Sequence, residues 1–220
     1  MNRTNRAFTL AELLVAIAIL FLFFGIAYSA LLPVLTFLSP AQAKINTQQN
    51  AVPLLYKLQR EVRQSDYRAV FAVVSGTTKP IQQVTSLTDV RTFAVASAKT
   101  GAAGSGCYPG GRFVTVPGFG TPYWQGFDVF ILQNAALKCI YEPLATPQIY
   151  YSNIQTSDAH TAITAAQGVT NPPVFGNAVL DVKLNSDATP FIVDFQIKAV
   201  STVNARTNAT TYTEDVLTRN

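Results

Sequence analysis

The chain has 220 residues, of which 49% are hydrophobic and only 13% charged, with a formal net charge of +4. That is enough for one packed core of about 150 residues beside a long appended segment. A single histidine and two cysteines leave no framework for a structural zinc site.

Two arginines, Arg3 and Arg6, precede Phe8-Thr9-Leu10-Ala11-Glu12, and from Leu13 to Leu38 there is no Asp, Glu, Lys, Arg or His. A membrane-crossing helix needs about 20 apolar residues, so 13–38 is long enough to span with some tilt. The basic residues ahead of it place the N-terminus in the cytoplasm and the rest outside. Glu12 stands alone at the head of this segment. An ionisable residue there is costly in lipid and marks a functional position; the plainer role is a first-turn anion that favours the helix dipole or snorkels. A rival reading takes Ala41-Gln42-Ala43 as a signal-peptidase site, with cleavage after Ala43 releasing a soluble exported domain. Against it, a signal h-region runs only ~7–15 residues.

The order Arg6, Ala7, Phe8-Thr9-Leu10-Ala11-Glu12, then Leu13-Leu14-Val15-Ala16-Ile17, resembles the class III leader of type IV pilins and type II secretion pseudopilins. The resemblance implies a leader over 1–7, cut between Ala7 and Phe8 by a prepilin peptidase, with N-methylation of Phe8. Ala7 stands where that family usually has Gly. It also implies that Glu12 pairs with the free amine of a neighbouring subunit, neutralising two charges in an apolar bundle. The implied partners are that peptidase, other pilin or pseudopilin subunits and the inner membrane. Loss of the leader removes Arg3 and Arg6, so a pI near 9.1 overstates the basicity and nucleic acid is not an expected partner.

A helix is expected over 8–66, about 88 Å long if unbroken. Its outer half shows a stripe of Val52, Leu55, Tyr56, Leu58, Gln59 and Val62, with Lys57, Arg60, Glu61, Arg63 and Gln64 on a solvated face. Pro33, Pro40 and Pro53 each remove a backbone hydrogen bond and can bend it. The cluster Lys57, Arg60, Arg63 and Arg68 reads as a wet helix face rather than a DNA-binding patch, since no stacking platform accompanies it. From Tyr67 the pattern turns extended. Strands are expected at 69–74, 92–96, 112–116, 127–132, 137–141, 179–184 and 191–200, with a closing strand over 210–220 and a hairpin-like link at 133–136. The fold class is α+β: a long N-terminal helix, spanning at 13–38, packed on an antiparallel β-sheet head domain over 67–220.

Cys107 and Cys139 form an even pair in an exported domain, which favours a disulfide over two free thiols; closing that loop is worth roughly 3–4 kcal/mol. No P-loop, nucleophile elbow or His-Glu-x-x-His occurs, and His160 sits in a Ser/Thr/Ala-rich stretch that reads as loop. No catalytic residue, metal ligand set or cofactor is implied. Asp181, Asp187 and Asp194 could neighbour one another around a hairpin and hold calcium, although each is also an ordinary surface or turn residue. Leu58–Arg63 and the ending Val216-Leu217-Thr218-Arg219-Asn220 are similar to J-type minor pseudopilins and W-type minor pilins, while Glu12 is unlike the K-type tip subunit. The resemblance thus implies a structural subunit that initiates or joins a filament; alternatives are a tip adhesin, a DNA-uptake pilin or the soluble exported domain.

Overall fold

The computed structural model describes residues 10–107, 112–186, 192–203 and 206–218. Ala7 and Phe8, Asp187 and the terminal Arg219-Asn220 lie outside these. Helix α1 runs from Leu10 to Arg63 and continues through Pro33, Pro40 and Pro53 without interruption. At 1.5 Å per residue it is about 80 Å long. Its segment Leu10–Val34 is long and apolar enough to cross a membrane, and nothing else among the described residues covers it. The Ser29 hydroxyl there donates to Ile26 O at 2.8 Å, so that polar group is satisfied within its own helix.

The outer half of α1 turns a different face inward than the large apolar residues suggest. Ala43, Thr47, Ala51, Leu54, Leu58, Glu61 and Val62 are buried, while Val52 and Tyr56 are exposed. Spacings of three and four trace one continuous helix face. Small residues at 43, 47 and 51 let the helix come close to the sheet beneath it, and the Thr47 hydroxyl is satisfied by Ala43 O at 2.8 Å. Gly176 serves the same approach: a Cβ there would lie 2.5 Å from Leu54 Cδ1. Of the expected stripe Leu58 and Val62 are buried and Leu55 packs beside them, whereas Val52 and Tyr56 are exposed, and Glu61, expected on a solvated face, is buried.

Eleven strands and one further α-helix follow among the described residues: β1 Val70–Val74, β2 Thr77–Pro80, β3 Thr88–Asp89, β4 Thr92–Ser97, β5 Ser105–Gly106, β6 Trp124–Gln133, β7 Ala136–Gln148, α2 Thr156–Gln167, β8 Val174–Asn177, β9 Val179–Ser186, β10 Ile192–Val203 and β11 Arg206–Leu217. All pairings are antiparallel. The larger sheet has the order β2-β1-β4-β6-β7-β5, with β8 also on β7; the smaller has the order β11-β10-β9-β3. The architecture is a long apolar helix followed by an antiparallel β-sheet domain, α+β and pilin-like.

The larger sheet is buried on both faces. One core joins Leu54, Leu58 and Val62 of α1 to Phe93 and Val95 of β4, Phe130 of β6, and Val182, Leu184, Phe195 and Ile197 of the smaller sheet. Phe93 and Phe130 stack at 4.7 Å between centroids. The other core sets Phe71, Ala94, Ala96, Phe127 and Val129 against Ala159, Ala162, Ile163 and Ala166 of α2. All six residues of β4 are consequently buried.

Two local expectations are corrected. The stretch holding His160 is a helix, not a loop. Its inward stripe is three alanines and one isoleucine at i, i+3, i+4 and i+7, and Gln155 with Asp158 forms a capping box. Residues 112–116 form no strand; they make isolated bridges, Lys99 to Phe113 and Thr115 to Pro122, because Pro117-Gly118 turns the chain straight back. The link at 133–136 tightens into a two-residue turn, with Asn134 and Ala135 at φ of 52° and 53°, as the twist of a hairpin demands.

Candidate functional site

The residues singled out by sequence fall into three places. Glu12 lies in the first turn of α1 with its side chain exposed. It shares a shallow apolar surface with Ala11, Val15, Ala16 and Ile19. An anion in the first turn favours the helix dipole. Its setting is nonetheless apolar.

Cys107 and Cys139 are joined, their Cα atoms 5.4 Å apart, which ties the segment after β5 to β7. His160 is exposed on α2 and its ring Nδ1 lies 3.1 Å from the Thr78 hydroxyl, a helix-to-sheet contact rather than a catalytic arrangement. Of the basic residues around the end of α1, three have separate contacts. Lys57 sits 5.9 Å over the Phe175 ring, Arg60 lies beside Glu61, and Arg68 is bound to Asp66. Asp181 and Asp194 do not converge either. On the β9–β10 ladder Asp181 faces Lys198 and Asp194 faces Asn185, four residues apart along the strand, or roughly 13 Å. Among the described residues no three metal-binding side chains gather.

What sequence missed is a buried charged cluster under the outer end of α1. Asp128 in β6 stands between Val95 of β4 and Tyr141 of β7 in register, on the face that α1 covers. Lys99, just past β4, reaches Glu61 Oε2 of α1; the side chain of Glu61 is 1% exposed and that of Lys99 19%. Arg60 Nη2 lies 3.5 Å from Glu61 Oε1, longer than a good hydrogen bond. Glu61 Oε1 and Asp128 Oδ1 are buried without a hydrogen-bond partner among the described residues. Tyr141 lies over Gly126, where a Cβ would come within 2.7 Å of its hydroxyl. The lone carboxylate in the apolar run Phe127-Asp128-Val129-Phe130 was the available signal.

Burial pushes the Asp128 carboxyl up to about 7; Glu61 adds to this, while Lys99 and a hydrogen bond from Ser97 oppose it. Burial, then Asp128, pushes the Tyr141 phenol up to about 12. An acid whose folded pKa is raised binds its proton more tightly in the folded state. Below about pH 4 Asp128 is protonated in both states and imposes no penalty; between about 4 and 7 the unfolded chain ionises while the folded one keeps its proton, so stability falls, and above 7 the loss is complete and levels off. A shift of about three units at ~1.4 kcal/mol each bounds the loss at about 4 kcal/mol. Denaturant unfolding between pH 4 and 8 should therefore show wild-type stability declining up to about pH 7 and levelling off above it, with a flatter profile in Asp128→Asn. Parallel profiles would show that Asp128 does not titrate in this range.

The comparison with known families bears on the N-terminal segment. Residues 2–28 match the prokaryotic N-terminal methylation motif. The motif supports a subunit of the pilin or pseudopilin type, a structural rather than enzymatic class. The match covers the start of α1 and ends before the head domain. No curated protein and no solved structure gives a significant match to this chain. The apolar helix and the motif together fit anchoring in a membrane.

Proposed function

We propose that this chain is a minor pilin or pseudopilin, a structural subunit that initiates or joins a type IV pilus or type II secretion pseudopilus. The observation that carries the proposal is the methylation motif over residues 2–28 heading a helix whose first 25 residues can span a membrane. A prepilin peptidase cuts between Ala7 and Phe8, Phe8 is N-methylated, and Glu12 receives the amine of a neighbouring subunit. The N-terminus faces the cytoplasm and the head lies outside the inner membrane until assembly lifts it into the filament. The similarity of Leu58–Arg63 and of the chain ending to J-type and W-type subunits favours a minor subunit of those kinds, and Glu12 speaks against the K-type tip subunit.

Cleavage after Ala43 is disfavoured by packing. Ala43 is 1% exposed and belongs to the face of α1 that the head covers, so a cut there would remove the first contact between helix and sheet. Mass spectrometry of the processed protein is expected to find N-methylated Phe8 at its start. A product beginning at Lys44 would overturn the proposal and leave a released soluble domain.

A further inference from the structure

The chain leaves α1 into a cleft of about 190 Å³ lined by Asp66, Arg68, Thr121, Pro122, Trp124, Ile149, Tyr150 and Tyr151. That is far more room than the ~10–15 Å³ a single water needs. The cleft is built around a fixed polar pair. Asp66 caps the short turn Tyr67–Ala69 by accepting from Arg68 N at 2.9 Å. Arg68 Nε and Nη2 then donate to its two carboxylate oxygens at 2.9 and 2.8 Å. The guanidinium lies 3.5 Å from the centre of the Tyr151 ring, so its plane is held from one side by π-stacking and along its edge by Asp66. Around this pair the walls are apolar. Trp124 is buried, whereas Tyr150 is 65% exposed and Ile149 46%. The 114–123 hairpin, which supplies Thr121 and Pro122, carries Phe119 at its tip, 81% exposed.

We infer that this cleft binds a neutral saccharide, with a sugar ring laid against Tyr150 and neighbouring hydroxyls held by Asp66 and Arg68. Each part of the inference follows from the groups present. Asp66 and Arg68 cancel each other's charge, so an anionic ligand such as a phosphate gains no net attraction. A wholly apolar ligand would strip water from a guanidinium and a carboxylate and return no hydrogen bonds. Five N–H groups on Arg68, two of them taken by Asp66, leave donors to spare. Asp66 Oδ1 accepts twice but Oδ2 only once, which leaves an acceptor beside them. Adjacent hydroxyls, each a donor and an acceptor, match such a pair, and the C–H face of a pyranose ring matches an exposed tyrosine. Because the pair is already clamped, binding does not have to order it. The cleft follows the last turn of α1, at the opposite end of that helix from the membrane-spanning residues.

Trp124 is the only tryptophan in the chain and forms a wall of the cleft, so its fluorescence reports on occupancy. The full chain in detergent should be titrated with cellohexaose, maltohexaose and chitohexaose, which separates plain from N-acetylated glycans, and with decaproline. The expected result is a saturable fluorescence change with at least one hexasaccharide. Affinity should weaken tenfold or more in Tyr150→Ala and in Arg68→Met, with thermal unfolding of Tyr150→Ala unchanged because that side chain is exposed. No response to any saccharide up to about 10 mM would overturn the inference. So would an undiminished response in Tyr150→Ala, or a response to decaproline alone, which would make the cleft a proline-peptide groove. None of these outcomes depends on processing at Phe8 or on filament assembly.

Discussion

Lys99→Met is expected to destabilise the head domain by about 3–5 kcal/mol, the cost of removing one partner from a buried ion pair. Lys99 Nζ is bound to Glu61 Oε2, whose side chain is almost fully enclosed, and it also opposes the burial that raises the Asp128 carboxyl. Methionine keeps much of the length and apolar stem of lysine, so packing is little altered and the charge is what is lost. Glu61 would then keep only the more distant Arg60 beside it, and Asp128 would lose the cation that opposes its burial. The stability of Lys99→Met should accordingly fall more steeply with rising pH than that of the wild type. The double variant Lys99→Met/Glu61→Gln removes both members of the pair and should recover most of the loss, because a buried pair replaced as a unit is often neutral. A change below about 0.5 kcal/mol in Lys99→Met would show that water already reaches the cluster.

How far the sequence predicts this structure depends on what each element displays. The membrane segment is legible because 13–38 lacks charge over more than the length of a bilayer crossing. The hairpin of β6 and β7 and the alternation in β9 and β10 are legible because valine, isoleucine and phenylalanine carry the strand pattern openly. Helix α2 is hidden for the opposite reason. Its buried face is mostly alanine, which packs well against a sheet but barely registers as an apolar stripe. The same blindness shifted the inward face of α1, where Ala43, Thr47 and Ala51 do the packing and Tyr56 does not. Of the candidate site, the place of Glu12 in the first turn of α1 follows from an ordered local motif, and the cut between Ala7 and Phe8 is proposed from that same motif. The Glu61–Lys99–Asp128 cluster and the cleft at Asp66–Arg68 each join segments distant in sequence. Only the sheet order, in which β4 lies beside β6 and β6 beside β7, brings Lys99, Asp128 and Tyr141 under one helix. Chain-local patterns carry no record of that neighbourhood.

Glu12→Ala is expected to leave membrane insertion, processing and the head domain intact while reducing incorporation into the filament by roughly 100-fold or more. The reasoning is energetic. A processed N-terminal amine has an ordinary pKa of about 7.7–8.0 and is largely protonated at neutral pH. Packed among apolar helices it needs a carboxylate, and Glu12 stands in an exposed first turn flanked by Ala11, Val15, Ala16 and Ile19. Deleting one partner of such a pair costs about 3–5 kcal/mol, and each 1.4 kcal/mol is tenfold in equilibrium occupancy. Glu12→Asp keeps the charge but shortens the reach, so its occupancy should fall between wild type and alanine. A folding defect would also lower assembly, and position separates the two. Glu12 is about 46 Å along α1 from Ala43, the first buried residue among those whose burial is described. The Cys107–Cys139 disulfide and protease resistance of the head should therefore match wild type in every Glu12 variant. Quantitative mass spectrometry of purified filaments would measure the occupancy directly. Wild-type levels of Glu12→Ala there would show that the carboxylate serves only the start of its own helix, and the inter-subunit pairing would have to be abandoned.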